Sequence, residues 1–106
     1  MGDVLMQNYY IRIYWRDGSL ATEGSMKAAS LSNLRKTIVK DALSKNDKID
    51  YIYVWSGKTK KFLGKTRKVR GWTGPEYEWT DESGGWQFKR YINPKNGNLK
   101  PVERRS

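Results

Sequence analysis

The sequence predicts an α+β fold, an antiparallel sheet of about five strands with one α-helix packed on one face, arranged as ββαβββ(β). Three observations carry that expectation. Residues 9–16 (YYIRIYWR) and 48–56 (KIDYIYVWS) alternate with the period of a half-buried strand, residues 31–43 repeat apolar positions at helical spacing, and the second half breaks at turn signals into short β-competent runs. With 106 residues the chain suits one domain with one core. That domain is taken as 1–106, with residues 1–8 and 103–106 as flexible ends.

In the first strand Tyr9, Ile11, Ile13 and Trp15 point one way and Tyr10, Arg12, Tyr14 and Arg16 the other. Asp17-Gly18 is a turn dipeptide, so a short return strand is expected at Leu20 to Glu23. A helix then runs from Ser30 or Ser32 to about Leu43, with Leu31, Leu34, Ile38 and Ala42 on its inner face and either serine able to cap it. The next strand sets Ile52 and Val54 against Tyr51, Tyr53 and Trp55. Packing Ile11, Ile13, Ile52 and Val54 on the helix leaves an aromatic and basic sheet face. Residues 61–71 follow as a very basic strand, EYEWT and WQFKRYI as a hairpin closed by Asp81 to Gly85, with Tyr77 and Trp79 pairing across from Trp86, Phe88 or Tyr91. NPKNGN is then a turn into a short edge strand at Leu99 to Val102.

Hydrophobic residues make up only 37% of the chain, and 5 Trp with 7 Tyr supply the large buried area that aliphatics do not. Lys and Arg number 21 against 11 Asp and Glu, a formal net charge of +10 that points to polyanionic partners. Cys and His are both absent. That removes disulfides, zinc sites of ordinary ligand type, Cys-His and Ser-His-Asp catalysis and imidazole acid-base chemistry, and it suits a cytoplasmic location. The N-terminal residues carry an acid, Asp3, where a secretory signal has a basic region, and no apolar run is long enough to span a membrane. No cofactor, metal site or membrane contact is expected.

Gly57-Lys58-Thr59 has the ending of a phosphate-binding loop. Such a loop needs a glycine five residues earlier and a helix after it, whereas Ile52 stands there and another strand follows, so the tripeptide reads as a turn. Around it, Lys58, Lys60, Lys61, Lys65, Arg67, Lys68 and Arg70 form a cation run without an intervening acid. Alternation wets both faces of that run, as in a hairpin arm able to contact phosphates and enter the major groove of duplex DNA. Arg12, Arg16, Lys89 and Arg90 support it, and Tyr53, Trp55 or Trp72 can stack or wedge. The alternative for the same run is a solvated hairpin partly balanced by Glu76 and Glu78.

The aromatic face, with Tyr10, Tyr14, Tyr51, Tyr53 and Trp55 beside Arg12 and Arg16, offers a stacking platform for unpaired bases of single-stranded DNA or RNA unless the later strands cover it as a second core layer. The acids Glu76, Glu78, Asp81 and Glu82 are the only carboxylate cluster available for acid-base or metal chemistry, and they read instead as charge balance and turn residues. The expectation is therefore a non-enzymatic nucleic-acid-binding protein, with duplex DNA preferred. The alternative is a small phage or mobile-element protein that binds and inhibits a host protein or nucleoprotein through the same basic, aromatic surface. The sequence leaves the oligomeric state open.

Overall fold

A computed structural model of the chain describes residues 5–71, 74–82 and 90–101. The alternating aromatic and β-branched run forms β1 (Gln7–Trp15), which begins two residues before the expected strand and turns into β2 (Leu20–Ala28). Asp17 fixes the turn by accepting the Ser19 backbone N–H at 2.8 Å, and Gly18 takes φ +89°, a conformation that costs glycine little. The return strand is nine residues long and not the short piece expected. Thr22, Gly24, Met26 and Ala28, its residues on the inner side, are too small or too mixed to stand out as an alternating pattern, and pairing with β1 defines the strand instead.

Ser30 caps α1 (Leu31–Ile38), its Oγ accepting the Asn33 N–H at 3.2 Å. The helix does not continue as α to Leu43. Residues Val39–Leu43 widen into a π-helical turn, marked by the Ser44 N–H donating to the Val39 carbonyl at 2.9 Å. With this wider turn the consecutive Ile38 and Val39 are both buried along with Leu34 and Leu43.

The chain continues through β3 (Ile49–Ser56), β4 (Phe62–Gly71), β5 (Gly74–Thr80), β6 (Arg90–Ile92) and β7 (Leu99–Pro101). All strands join one antiparallel sheet in the order β2-β1-β3-β4-β5-β6-β7. It has seven strands where about five were expected, because the mixed β2 and the three-residue β7 both complete ladders. β2 and β3 each pair antiparallel with β1, so they run parallel to one another, and α1 carries the chain back across the sheet between them.

That crossover decides which face is covered. Leu34, Ile38, Val39 and Leu43 from the helical segment cluster with Tyr9, Ile11, Ile52, Val54, Trp79 and Ile92 from the sheet. Trp79 is fully buried, and its ring lies so close to β4 that a Cβ added to Gly64 would stand 2.3 Å from it. Arg35 joins this core, donating Nε–H to the Gly97 carbonyl at 2.8 Å with its guanidinium 5.1 Å from the centre of the Trp79 indole. Burial is the main influence on Arg35 and pulls its pKa below the ordinary value, with nearby Arg90 acting in the same direction.

One expectation about the second half needs correction. Tyr91 pairs with Glu78, and Trp79 with Arg90, so Tyr91 faces neither Tyr77 nor Trp79; Trp86 and Phe88 lie outside the described residues. The basic stretch joins the body of the sheet over its first half and leaves it only at its far end. β4 is hydrogen-bonded to β3 as far as Arg67 and to β5 from Lys65 to Gly71, which buries Thr66 completely; beyond Arg67, among the described residues, 68–71 and 74–77 pair only with each other, a short two-stranded end of the sheet.

Candidate nucleic-acid interface

Strand register assembles the site on the face opposite α1. Cross-strand partners share a face, so the ladders place side chains there in three rows. The first holds Ser25, Tyr10, Trp55 and Phe62. The middle row holds Glu23, Arg12, Tyr53, Lys65 and Thr80. In the third, Tyr51 is followed by Arg67, Glu78, Tyr91 and Lys100. The described later strands extend the sheet sideways, and none of them folds over the aromatic residues of this face; residues 83–89, which the second-layer alternative also involves, lie outside the described residues.

The rings support one another. Tyr53 lies at the centre, near-parallel to Trp55 at 6.1 Å between centroids and edge-on to Tyr14 at 5.4 Å and Tyr51 at 5.9 Å, with Phe62 at 5.9 Å. Trp55 further meets Phe62 at 5.4 Å and Tyr10 at 5.9 Å. These contacts leave the rings half-buried among their neighbours.

Cations sit over the rings. Arg12 lies 5.5 Å from the Trp55 centroid and 5.8 Å from Tyr10, while Lys65 lies 4.9 Å from Tyr51 and 5.7 Å from Tyr53. Glu23 anchors Arg12, accepting its Nε–H at 3.1 Å and the Tyr10 hydroxyl at 2.6 Å on one oxygen. Hydrogen bonds with Tyr10 and then Tyr14 raise the Arg12 pKa, so it carries its charge at every working pH. Arg67 donates to the Tyr51 hydroxyl at 3.2 Å, which with the charges of Tyr51, Asp50 and Glu78 likewise raises its pKa.

The cation run divides into two groups. Arg67 pairs with Asp50 at 3.6 Å, and Lys68, on the helix side of the sheet, is held by Asp47. Lys58, Lys60, Lys61 and Lys65 have no carboxylate within salt-bridge range among the described residues, and the first three are exposed on the turn before β4. Lys60 joins Tyr10, Arg12 and Trp55 around an open depression of about 400 Å³. Arg16 is exposed beyond the opposite end of β1. Arg90 lies on the helix side, bonded to Asp81 at 2.6 Å, and so does not reach this face. The Arg70 side chain, Trp72 and Lys89 lie outside the described residues.

The Gly57-Lys58-Thr59 turn has already committed its donors. The Gly57 N–H reaches the Asn8 carbonyl at 2.9 Å and the Lys60 N–H the Ser56 carbonyl at 3.0 Å. Thr59 and Lys61 N–H groups go to the Ser56 and Thr59 hydroxyls. A phosphate cradle needs such groups unspent and converging.

The acidic cluster is likewise dispersed. Glu78 is buried opposite Arg67, and Asp81 accepts from both the Trp79 indole and Arg90. Among the described residues, no group of three His, Cys, Asp or Glu side chains is placed to hold a metal ion, and no helix is long and apolar enough to cross a membrane.

Two contributors were not singled out from sequence: Phe62, which the register shift at Val54/Trp55 brings beside Trp55, and Glu23, which positions Arg12 from β2. Both depend on strand pairing, which no local pattern announces. No family model, curated protein or solved structure matches the chain.

Proposed function

We propose that this protein is a non-catalytic nucleic-acid-binding protein that takes single strands on the open face of its sheet. One observation carries the reading: Tyr10, Tyr14, Tyr51, Tyr53 and Trp55 form an aromatic platform that no described strand covers, interleaved with Arg12 and Lys65. A base stacked on an aromatic ring contributes about 1–3 kcal/mol, against about 0.5–1 kcal/mol for an exposed cation over that ring. An incoming base therefore displaces Lys65 or Arg12 from the ring, and the freed cation meets the adjoining phosphate. The lysines at 58, 60 and 61 receive the backbone at one end and Arg16 at the other. β3, at eight residues, gives a track of about 26 Å, room for about four nucleotides.

Single strands are favoured over duplex because stacking needs unpaired bases, which a duplex keeps within its own stack. The absence of cysteine suits a reducing cytoplasm.

The test is a titration in rising salt with single-stranded and duplex oligonucleotides of one sequence. With about four phosphate contacts, single-strand affinity should fall about fiftyfold between about 50 and 200 mM salt. Tighter binding to duplex at every salt concentration overturns the reading. A stoichiometric protein complex that survives nuclease treatment, with no oligonucleotide binding, assigns the face to a host protein instead.

A further inference from the structure

The sheet ends in two unequal edges. β7 is three residues long, whereas β2 presents nine residues whose outer side meets no other described strand. A long edge templates pairing with another chain unless charge, proline or a bulge blunts it, and the charged side chains on this one are Glu23 and Lys27. β2 contains no proline and no bulge over residues 22–28, where its register with β1 is unbroken.

From these features we infer that β2 pairs antiparallel with β2 of a second copy of this chain, about a two-fold axis at Ser25. Two-fold antiparallel pairing sets residue i opposite residue j with a constant, even sum. Centring the axis at Gly24 puts Glu23 opposite Ser25 of the second copy and makes no ion pair. Centring it at Glu23 or at Lys27 sets like charges against each other. At Ser25, Glu23 faces Lys27 and Lys27 faces Glu23, giving two cross-strand ion pairs on the open face.

The other face agrees with this register. It sets Met26 of each copy opposite Gly24 of the other, and a Cβ placed on Gly24 would meet nothing within 4 Å, so space is open for the thioether.

A strand pair of this length is smaller than the standard interface of about 1,600 Å², so the expected dimer half-forms at about ten to a hundred micromolar. The axis stands perpendicular to the sheet, and both aromatic faces open on the same side.

Sedimentation equilibrium of the full chain from about one to three hundred micromolar tests this independently of any nucleic acid. The mass should rise from 12.4 kDa toward twice that value. Lys27→Glu should weaken association about tenfold or more, and adding Glu23→Lys should restore it to within about threefold of the parent, with circular dichroism showing each variant folded. A parent chain that stays monomeric throughout overturns the inference. So does a dimer indifferent to Lys27→Glu, which would place the contact elsewhere.

Discussion

Tyr53 is the residue on which the open face turns, because it touches Tyr14, Tyr51, Trp55, Phe62 and Lys65 at once. Tyr53→Ala should lower single-strand affinity about 10- to 100-fold, measured by fluorescence anisotropy, whereas Tyr53→Phe keeps the ring and should retain most of it. On the covered side, Thr66 shows an opposite kind of residue effect. Its hydroxyl is fully buried without a hydrogen-bond partner among the described residues, and such a group costs about 1–3 kcal/mol. Thr66→Val keeps the β-branched shape and removes the hydroxyl. Urea denaturation should show a gain of about 1 kcal/mol, and a loss of stability would mean that the hydroxyl is satisfied.

At the scale of elements, β4 is the informative case. The seven cations of β4 and the turn before it are plain in the sequence, yet what each one does is set by neighbours far away in the chain. Lys68 turns toward Asp47 at the end of the helical segment and Arg67 toward Asp50, while Lys58, Lys60 and Lys61 stay on the turn. Replacing Lys58, Lys60, Lys61 and Lys65 with Ala should remove most of the salt dependence of binding, a slope change of about three; Lys68→Ala should leave that slope alone. β1 and β3 were legible because their inner faces are branched apolar and their outer faces aromatic. β2 was legible only over Leu20 to Glu23, since Gly24 and Ala28 give the rest of its inner face little hydrophobic signal, and the π-helical turn was not, because its residues carry an ordinary helical pattern. The 93–98 turn was legible from its composition, but its docking was not. Gly97 takes φ +74°, and a Cβ there would meet the Ser32 carbonyl oxygen at 1.7 Å while Arg35 grips the Gly97 carbonyl. Gly97→Ala should therefore cost about 2–4 kcal/mol in a thermal or urea melt.

For the whole molecule, charge and burial together set the response to pH. Burial raises the phenol pKa of both Tyr9 and Tyr91 above the ordinary 10.0, with Glu76 adding to the effect at Tyr91. These groups ionise first in the unfolded chain, which then binds fewer protons than the folded one, so stability falls as pH rises through and beyond about 10. Urea midpoints compared at about pH 8 and 10.5 should show this loss, and Tyr9→Phe should reduce it. An equal loss in Tyr9→Phe would assign the effect to other groups. The distribution of cations matters as much as their excess. Arg12, Arg67, Lys68 and Arg90 are neutralised by Glu23, Asp50, Asp47 and Asp81, while Lys58, Lys60 and Lys61 gather exposed on the turn before β4.

The sheet also separates two indoles by environment. Trp79 is sealed beneath Gly64 in the helix-side core, while Trp55 lies among half-exposed rings opposite. Each face thus carries its own optical probe: a chain retaining Trp79 alone emits at the blue edge until it unfolds, and one retaining Trp55 alone dims when an oligonucleotide arrives. Folding and occupancy can be followed in the same cuvette without a label.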